Sequence, residues 1–260
     1  MLNNPVIETL LNRRSIRKYA DQVPSDEVIE TIARSGQQAP FAYQLGSLLL
    51  SRERARNPFD APLLFTICID SHRHEAIMAR RGWRLVQNDL SLLLLGIQDA
   101  TLMAANMVIA AESVGLGSCF LSGIPYRAEK VVQAYKLPPR VFPLAGLVMG
   151  YPAEDPPPRP RYPLDFGLFE GRYPAFTDEQ VVRAMSCMDD GYLAEGYYSH
   201  RGAMIPVESG HAETFTREDY SWTEHISRKT GQWAESPDEL LAQFARCGFR
   251  IPGPGRTGAD

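Results

Sequence analysis

The sequence is poor in cysteine, has no excess of positive charge and has no apolar leader segment. Its four cysteines in 260 residues are widely separated, with no Cys-x-x-Cys or Cys/His ligand spacing, so neither a disulfide framework nor a zinc site is predicted. The formal net charge of −4 excludes an overall field that would attract nucleic acid or an anionic membrane. Because no apolar segment precedes a cleavage site, we expect a cytoplasmic protein with reduced thiols and no signal peptide.

Long hydrophobic runs are also scarce. The longest lies between residues 90 and 111 and is interrupted by polar residues, Asp99 among them, which favours a buried helix over a membrane span. Beyond Asp99 this helix is apolar on nearly all sides, so we expect it at the centre of the protein or at a subunit interface. His72 and His74 have no further ligand nearby in sequence, and no metal site is predicted.

Strands and helices alternate in the first 150 residues. Short apolar runs bounded by turn-forming residues predict strands, and capped, periodic runs predict helices. The predicted strands are residues 48–51, 63–69, 118–121 and 141–151, and the predicted helices are residues 25–38, 84–114 and 127–135. This interleaving favours a layered α/β or α+β core.

The composition changes after residue 152. Residues 153–174 are rich in proline, which excludes a helix or a central strand and predicts an extended arm. Residues 175–260 predict a helical C-terminal extension, with helices at residues 177–198, 218–229 and 236–247.

The most informative stretch is the basic segment at residues 13–19, with the sequence RRSIRKY. Four basic groups and a hydroxyl within seven residues suit a phosphate dianion, because guanidinium groups donate paired N–H bonds to phosphate oxygens. A solvated basic turn is the alternative. In the proline-rich arm, Arg159 and Arg161 form either a second phosphate clamp or part of a solubilising linker.

Two loops are candidates for binding a flat polar ligand. Residues 39–45 (APFAYQL) follow the second helix, so their N–H groups and Gln44 could face such a ligand, unless the loop is an ordinary connection. Residues 115–117 (GLG) do not form a dinucleotide-binding fingerprint, because Phe120 occupies the place of the third glycine and the segment runs from helix to strand. Beyond them, residues 121–123 (LSG) could present main-chain donors.

Taken in order, these segments resemble the FMN-dependent nitroreductase family. The ordered set is RRSIRKY, APFAYQ, DATLMAANMVIAAESVGLG leading into a strand, and GYP followed by RPR. The later segments YYSHRG (197–202) and WTEHI (222–226), ending in GF (248–249), resemble the NADPH-preferring branch, which contains the major oxygen-insensitive nitroreductases and related flavin reductases. The similarity spans most of the chain.

The resemblance implies an α+β fold with a mixed central sheet flanked by helices, in a single FMN-binding domain over residues 1–260. It also implies an intertwined homodimer with two FMN sites at the interface, which the apolar helix and the arm would suit. The partners expected are a second copy and a small aromatic acceptor, with no nucleic acid and no membrane.

The resemblance assigns site residues by their positions. The residues that would hold the FMN phosphate and ribityl chain are Arg13, Arg14, Ser15 and Arg17, with Arg159 and Arg161 on the other side. The residues that would line the flavin edge are Pro40, Phe41, Ala42 and Gln44, and those whose main chain would lie over the ring are Leu121, Ser122 and Gly123. Arg201 would contact the extra phosphate of NADPH.

Three features depart from the family pattern. Phe41 stands where Ser or Thr is usual, and Ser122 replaces a glycine. Residues 52–61 form a short connection that lacks the Gly-Gly-Gln segment often found in this branch. These changes affect the flavin pocket, but the expected cofactor is unchanged.

The expected activity is reduction of nitroaromatics, quinones or free flavin by NAD(P)H, through bound FMN, in a ping-pong cycle. No side-chain acid or nucleophile is required, because the cofactor carries the chemistry. Three alternatives stay open: a flavoenzyme that oxidises or fragments a metabolite with dioxygen, a non-catalytic flavin-binding protein, and a sugar-phosphate or nucleotide-binding module.

Overall fold

The structure is a computed structural model that describes residues 2–208, 210–233 and 236–251. The chain divides into two compact units. The first combines the chain up to Pro157 with the chain from Pro237 onward, and the second is Pro158–Ser236. The single FMN-binding domain over residues 1–260 stays a prediction.

The first unit is built on a four-stranded sheet. Its strands are β1 (Gly46–Ser51), β2 (Leu63–Asp70), β3 (Gly117–Leu121) and β4 (Val141–Gly150), in the order β1-β2-β4-β3. β2 and β4 are buried along almost their whole length, which explains why both appear in the sequence as continuous apolar runs. All four predicted strands are confirmed to within two residues.

Every pairing between these strands is antiparallel. In the described part of the chain, the parallel component of the expected mixed sheet is a single bridge between Ser15 and Ser118, at the free edge of β3. The α+β class is confirmed.

Helices cover the sheet of the first unit. They are α1 (Pro5–Asn12), α2 (Asp26–Gln37), α3 (His72–Arg80), α4 (Asp89–Ser113), α5 (Ala128–Tyr135) and α9 (Asp238–Arg246). α2 begins at the expected cap, where the Ser25 hydroxyl accepts the N–H of Val28 at 3.3 Å. α4 begins at Asp89 and not at residue 84, because the side chain of Asn88 caps it by accepting the N–H of Ser91 at 2.9 Å.

α4 is the central helix of the first unit. By length and composition alone it could cross a membrane, yet half of its most apolar stretch is buried. It packs so closely that a Cβ atom on Gly96 would lie 2.3 Å from Cγ2 of Ile69 in β2, and one on Gly36 of α2 would lie 2.6 Å from Cγ of Met107. This is the packing of a core helix, as the interrupted apolar run predicts.

The second unit holds α6 (Asp178–Ala194), α7 (Tyr197–Arg201) and α8 (Trp222–Gly231). A capping box between Thr177 and Gln180 starts α6. The helix predicted over residues 177–198 is interrupted at Gly196, whose φ of +56° is left-handed. The predicted helix at residues 236–247 also forms, as α9, but it belongs to the first unit.

Candidate functional site

The basic segment is fastened to the edge of the sheet. The N–H of Ile16 donates to the carbonyl of Ser118 in β3 at 2.9 Å. The Ile16 side chain is buried and packs against Gly117, where a Cβ atom would lie only 2.3 Å from Ile16 Cγ1. The backbone that carries the arginines is therefore held by the sheet, and it does not lie in a free solvated turn.

Acidic residues meet the basic segment from the chain beyond β4. Arg14 forms an ion pair with Asp155. A carboxylate oxygen of Glu154 accepts the backbone N–H groups of Arg17 at 2.5 Å and Lys18 at 3.1 Å. Part of the local positive charge is thus neutralised within the chain.

Arg13 and Arg17 differ from Arg14 in this respect. Neither guanidinium has a carboxylate within 4.0 Å in the described ranges, and both side chains are half-buried. Among the guanidinium groups of the segment, these two remain available to an anion.

A cavity of about 530 Å³ lies beside Arg14. Its lining includes Glu112, Glu154 and Asp155, so it carries three carboxylates and one guanidinium. Burial raises the pKa of Glu112, while Arg13 and Arg14 act to lower it, and its Oε1 atom is buried without a hydrogen-bond partner among the described residues. This charge balance disfavours a phosphate, which points the phosphate-binding role toward Arg13 and Arg17.

The end of β3 lies on the same edge of the sheet as the basic segment. Leu121 is the last residue of β3 and packs on the cluster that contains Ile16. Ser122 and Gly123 follow in an exposed turn. At about 3.3 Å per strand residue, Leu121 lies about 10 Å from Ser118, so the predicted phosphate and ring contacts lie along the same edge of the sheet.

The short 52–61 connection lies close to the chain that follows the basic segment. It contains two 3₁₀ turns, at Arg54–Arg56 and Pro58–Asp60. The Arg54 guanidinium donates to the carbonyls of Tyr19 and Ala20, each at 3.2 Å. The connection thus helps to hold residues 19 and 20 in place.

The loop at residues 39–45 is held by Asp99 of α4. Its carboxylate is 4% exposed and accepts three backbone N–H groups: from Ala42 at 2.7 Å, Tyr43 at 3.1 Å and Leu45 at 2.9 Å. Gln44, between the last two donors, has a left-handed φ of +55°. The sequence prediction missed this role, although a lone acid at an otherwise apolar helix position was a signal for it.

The loop presents aromatic side chains to solvent. Phe41 is 57% exposed. The ring of Tyr43 stacks on His74 of α3, with centroids 5.8 Å apart and planes inclined by 3°. Pro40, Phe41 and Gln44 line a small depression together with Met103. The histidine considered as a metal ligand in the sequence thus packs against an aromatic ring.

The structure separates this loop from the basic segment. The loop leads into Gly46 of β1, which pairs with Ile69 of β2, and Ile69 pairs in turn with Phe142 of β4. At the other edge of the sheet, Ser15 bridges to Ser118 of β3, which pairs with Met149 of β4. Three strand spacings of about 4.8 Å and seven residues of about 3.3 Å put Gly46 and Ser118 about 27 Å apart. Within one chain, they are farther apart than the ends of one FMN molecule.

In the second unit, two predicted cofactor arginines share one aromatic ring. The Cζ atoms of Arg159 and Arg201 lie 4.0 and 4.4 Å from the centroid of the Tyr197 ring. Arg159 also forms an ion pair with Glu195, so its charge is largely compensated. Arg201 is exposed at the end of α7.

Arg161 is placed differently from Arg159. Its guanidinium is exposed and donates to the carbonyls of Arg159 at 3.1 Å and Pro160 at 2.8 Å. In the part of the chain that the structure describes, no carboxylate lies within 4.0 Å of it. Of the two arginines in the arm, Arg161 is therefore the one available to an anion.

A buried ion-pair network, which sequence reasoning missed, organises the second unit. The Arg228 side chain is 4% exposed and donates to both oxygens of Glu213, at 2.6 and 2.7 Å, and to Glu224 at 2.7 Å. These hydrogen bonds lower the pKa of Glu213 to about 2. His225, from the WTEHI segment, packs with its ring centroid 4.6 Å from that of Tyr198, and burial lowers its pKa.

The buried thiols do not suit a nucleophile. Burial raises the pKa of Cys68 to about 12 and that of Cys247 to about 11. Among the described residues, no three His, Cys, Asp or Glu side chains are grouped so that they could hold a metal ion. The candidate site therefore consists of a basic segment at the edge of the sheet, an exposed turn and an aromatic loop.

Comparison with known proteins identifies the family. The model of the nitroreductase family matches residues 48–151. An oxygen-insensitive NADPH nitroreductase from Salmonella typhimurium is 33% identical over 240 residues, which cover 86% of this chain and 90% of that protein. This chain belongs to the nitroreductase family.

A further relative and a solved structure are also similar to this nitroreductase-family chain. An FMN reductase (NADPH) from Bacillus subtilis is 32% identical over 192 residues, covering 68% of this chain and 77% of that one. The structure of NfrA2 from B. megaterium superposes with a TM-score of 0.78 at 26% identity, over 96% of this chain and 100% of that one. The family resemblance and the fold class are thereby confirmed. The match to the family model begins at residue 48, so it includes neither the basic segment nor the 39–45 loop.

Proposed function

We propose that this chain is an FMN-dependent oxidoreductase that uses NAD(P)H to reduce nitroaromatics, quinones or free flavin. Family membership and the names of its relatives, an NADPH nitroreductase and an FMN reductase (NADPH), support an enzyme of this type. Bound FMN would supply the hydride-accepting and hydride-donating chemistry of a ping-pong cycle. The protein binds and orients the cofactor and admits one partner at a time.

The observation that carries the proposal is the basic segment held on the edge strand of the sheet. Arg13 and Arg17 would hold the FMN phosphate, with the Ser15 hydroxyl as a further donor. Arg14 would serve mainly to hold Asp155. The exposed turn at Ser122 and Gly123 would give its backbone N–H groups to the ring, since no bulky side chain blocks the approach at Gly123.

We propose a homodimer in which each flavin site takes residues from both copies. The loop at residues 39–45 lies about 27 Å from the basic segment, by the strand spacings above, so a second copy must bring it to the flavin. Apolar side chains left exposed in one copy offer the contact surface: Val6, Leu10 and Leu11 on α1, and Leu90, Leu94 and Ile97 on α4. The α4 positions are spaced i, i+4, i+7 and form one stripe.

Arg201 would select the nicotinamide cofactor. Its side chain is exposed, and its Cζ atom lies 4.4 Å from the centroid of the Tyr197 ring, so a cation–π contact orients the guanidinium. We assign it to the extra phosphate of NADPH. The family resemblance assigns Arg159 and Arg161 to the FMN phosphate as well; of the two, Arg161 has no carboxylate partner within 4.0 Å in the described ranges, whereas Arg159 is paired with Glu195.

A cytoplasmic location completes the proposal. Cys68, Cys119, Cys187 and Cys247 are all free thiols, as a reducing compartment allows.

The test is an absorbance spectrum of the purified full-length protein. We expect the two visible flavin bands, bleaching under anaerobic conditions with NADPH and with NADH, and recovery of the colour when a quinone is added. A colourless protein that gains no visible spectrum after incubation with excess FMN would refute the proposal.

A second candidate is a flavoenzyme on the same scaffold that oxidises a metabolite with dioxygen. The exposed Phe41 favours it, because a large ring stands where the family usually has a small hydroxyl residue and would reshape the substrate side of the flavin. Steady NAD(P)H consumption with a quinone excludes this candidate and the non-catalytic flavin-binding protein. A flavin spectrum that NAD(P)H does not bleach favours them.

A further inference from the structure

Asp99 has an uncommon set of contacts for a carboxylate in a core helix. It is 4% exposed, and in the described part of the chain no basic group lies within 4.0 Å of it. Among the described residues its partners are backbone N–H groups only: Oδ1 accepts from Ala42, and Oδ2 accepts from Tyr43 and Leu45. Burying a polar side chain is costly unless it is hydrogen-bonded, and these three bonds offset the loss of hydration.

The bonds hold the loop in a conformation that it would not adopt alone. Gln44 has a φ of +55°, which is unfavourable for a residue with a side chain. The N–H groups of Tyr43 and Leu45, on either side of it, converge on the same oxygen atom, Oδ2. The carboxylate therefore stabilises a backbone bend and keeps residues 40–44 exposed in one arrangement.

We infer that Asp99 is a positioning residue for flavin binding. It does not touch the cofactor; it orders the loop whose Pro40, Phe41, Ala42 and Gln44 would line the flavin edge, and so the inference rests on the proposed function. Without the carboxylate the loop would sample many conformations, and FMN binding would have to order it again.

The chain offers a matched pair of variants on one helix. Asp99→Asn keeps the size of the side chain, but its NH₂ group would face one or two of the loop N–H groups and leave them without an acceptor. Asn106 also lies on α4 and also bonds to backbone, donating to the carbonyl of Ser35 at 3.2 Å, yet it does not contact the loop. Asn106→Ala therefore reports the cost of disturbing α4 alone.

The experiment measures the FMN dissociation constant and the urea unfolding of the FMN-free full chain for both variants. We expect Asp99→Asn to weaken FMN binding by about tenfold or more, because several loop residues lose their order. We expect Asn106→Ala to leave the FMN dissociation constant within about twofold of the wild-type value, even if it lowers the free energy of unfolding as much as Asp99→Asn does.

Each outcome decides the inference. If wild type binds FMN and Asp99→Asn binds it equally, Asp99 is not a positioning residue and the proposed function stands. If Asn106→Ala weakens FMN binding as much as Asp99→Asn does, at the same loss of stability, the effect comes from disturbing the helix and the inference is overturned. A wild-type protein that binds no FMN overturns both the inference and the proposed function.

A measurement on the wild type covers the case in which Asp99→Asn does not fold. In the FMN-free protein, the backbone N–H groups of Ala42, Tyr43 and Leu45 should be protected from hydrogen exchange, although Ala42 and Tyr43 are exposed residues. Exchange of these amides as fast as that of the exposed turn at Gly123 would overturn the inference.

Discussion

Replacing Arg17 by alanine should weaken FMN binding far more than the same change at Arg14. The two side chains belong to one basic segment, but Arg14 is paired with Asp155, whereas Arg17 has no carboxylate within 4.0 Å in the described ranges. A hydrogen bond to a charged group contributes about 1.5–3 kcal/mol, which corresponds to roughly 10- to 150-fold in affinity for Arg17→Ala. Arg14 has no proposed phosphate contact and Asp155 already offsets its charge, so Arg14→Ala should change FMN affinity by no more than about threefold.

The assay is a fluorescence titration of FMN into the FMN-free variants. Because the contact is ionic, added salt should weaken binding to wild type and Arg14→Ala more than binding to Arg17→Ala. Equal losses for the two variants, or an Arg17→Ala variant that binds FMN within twofold of wild type, would show that the ion pairs seen in the chain do not decide which arginine holds the phosphate.

Three further predictions concern selectivity, packing and pH. Arg201→Ala should raise the KM for NADPH by about tenfold and leave the KM for NADH nearly unchanged, because it removes a contact to the extra phosphate of NADPH. Steady-state kinetics with both cofactors measures this. An equal change in the two KM values would show that Arg201 does not bind that phosphate. Gly96→Ala should lower the free energy of unfolding by about 1–3 kcal/mol, since its Cβ would lie 2.3 Å from Cγ2 of Ile69. Urea unfolding measures this, and the control is a smaller loss for the same change in an Ile69→Ala background, which lacks Cγ2; an unchanged stability contradicts the close contact. Because pairing with Arg228 lowers the pKa of Glu213 from 4.5 to about 2, its contribution to stability should be present above pH 4.5 and be lost as the pH falls toward 2. Thermal unfolding of wild type and Glu213→Gln across this range tests the sign, and an equally steep decline in both would contradict it.

The strands were predictable because their signals are local. β2 and β4 are apolar runs next to turn-forming residues, and both were placed to within a residue. α3 was missed because none of its residues is buried, so no apolar stripe marks it. It is anchored by charged groups instead: Arg140 pairs with its Glu75 at 2.6 Å and with Asp89 of α4 at 2.8 Å.

The candidate site was predictable in its parts but not in its arrangement. The basic segment, the 39–45 loop and the arm were all found from their residue types. Arg14 is paired with Asp155, more than a hundred residues away in the chain, whereas Arg17 has no carboxylate within 4.0 Å among the described residues. The role of Asp99 likewise depends on N–H groups 54 to 57 residues away.

The amino-acid sequence alone determined where the strands lie, where the proline-rich arm begins and where positive charge is concentrated, because hydrophobic runs, proline content and charge density are properties of neighbouring residues. The tertiary structure decided which charges stay available to a phosphate, which carboxylate holds the loop, and how far that loop lies from the basic segment. These depend on pairings between residues distant in the chain, where burial and hydrogen-bond geometry decide whether a charge is compensated or free.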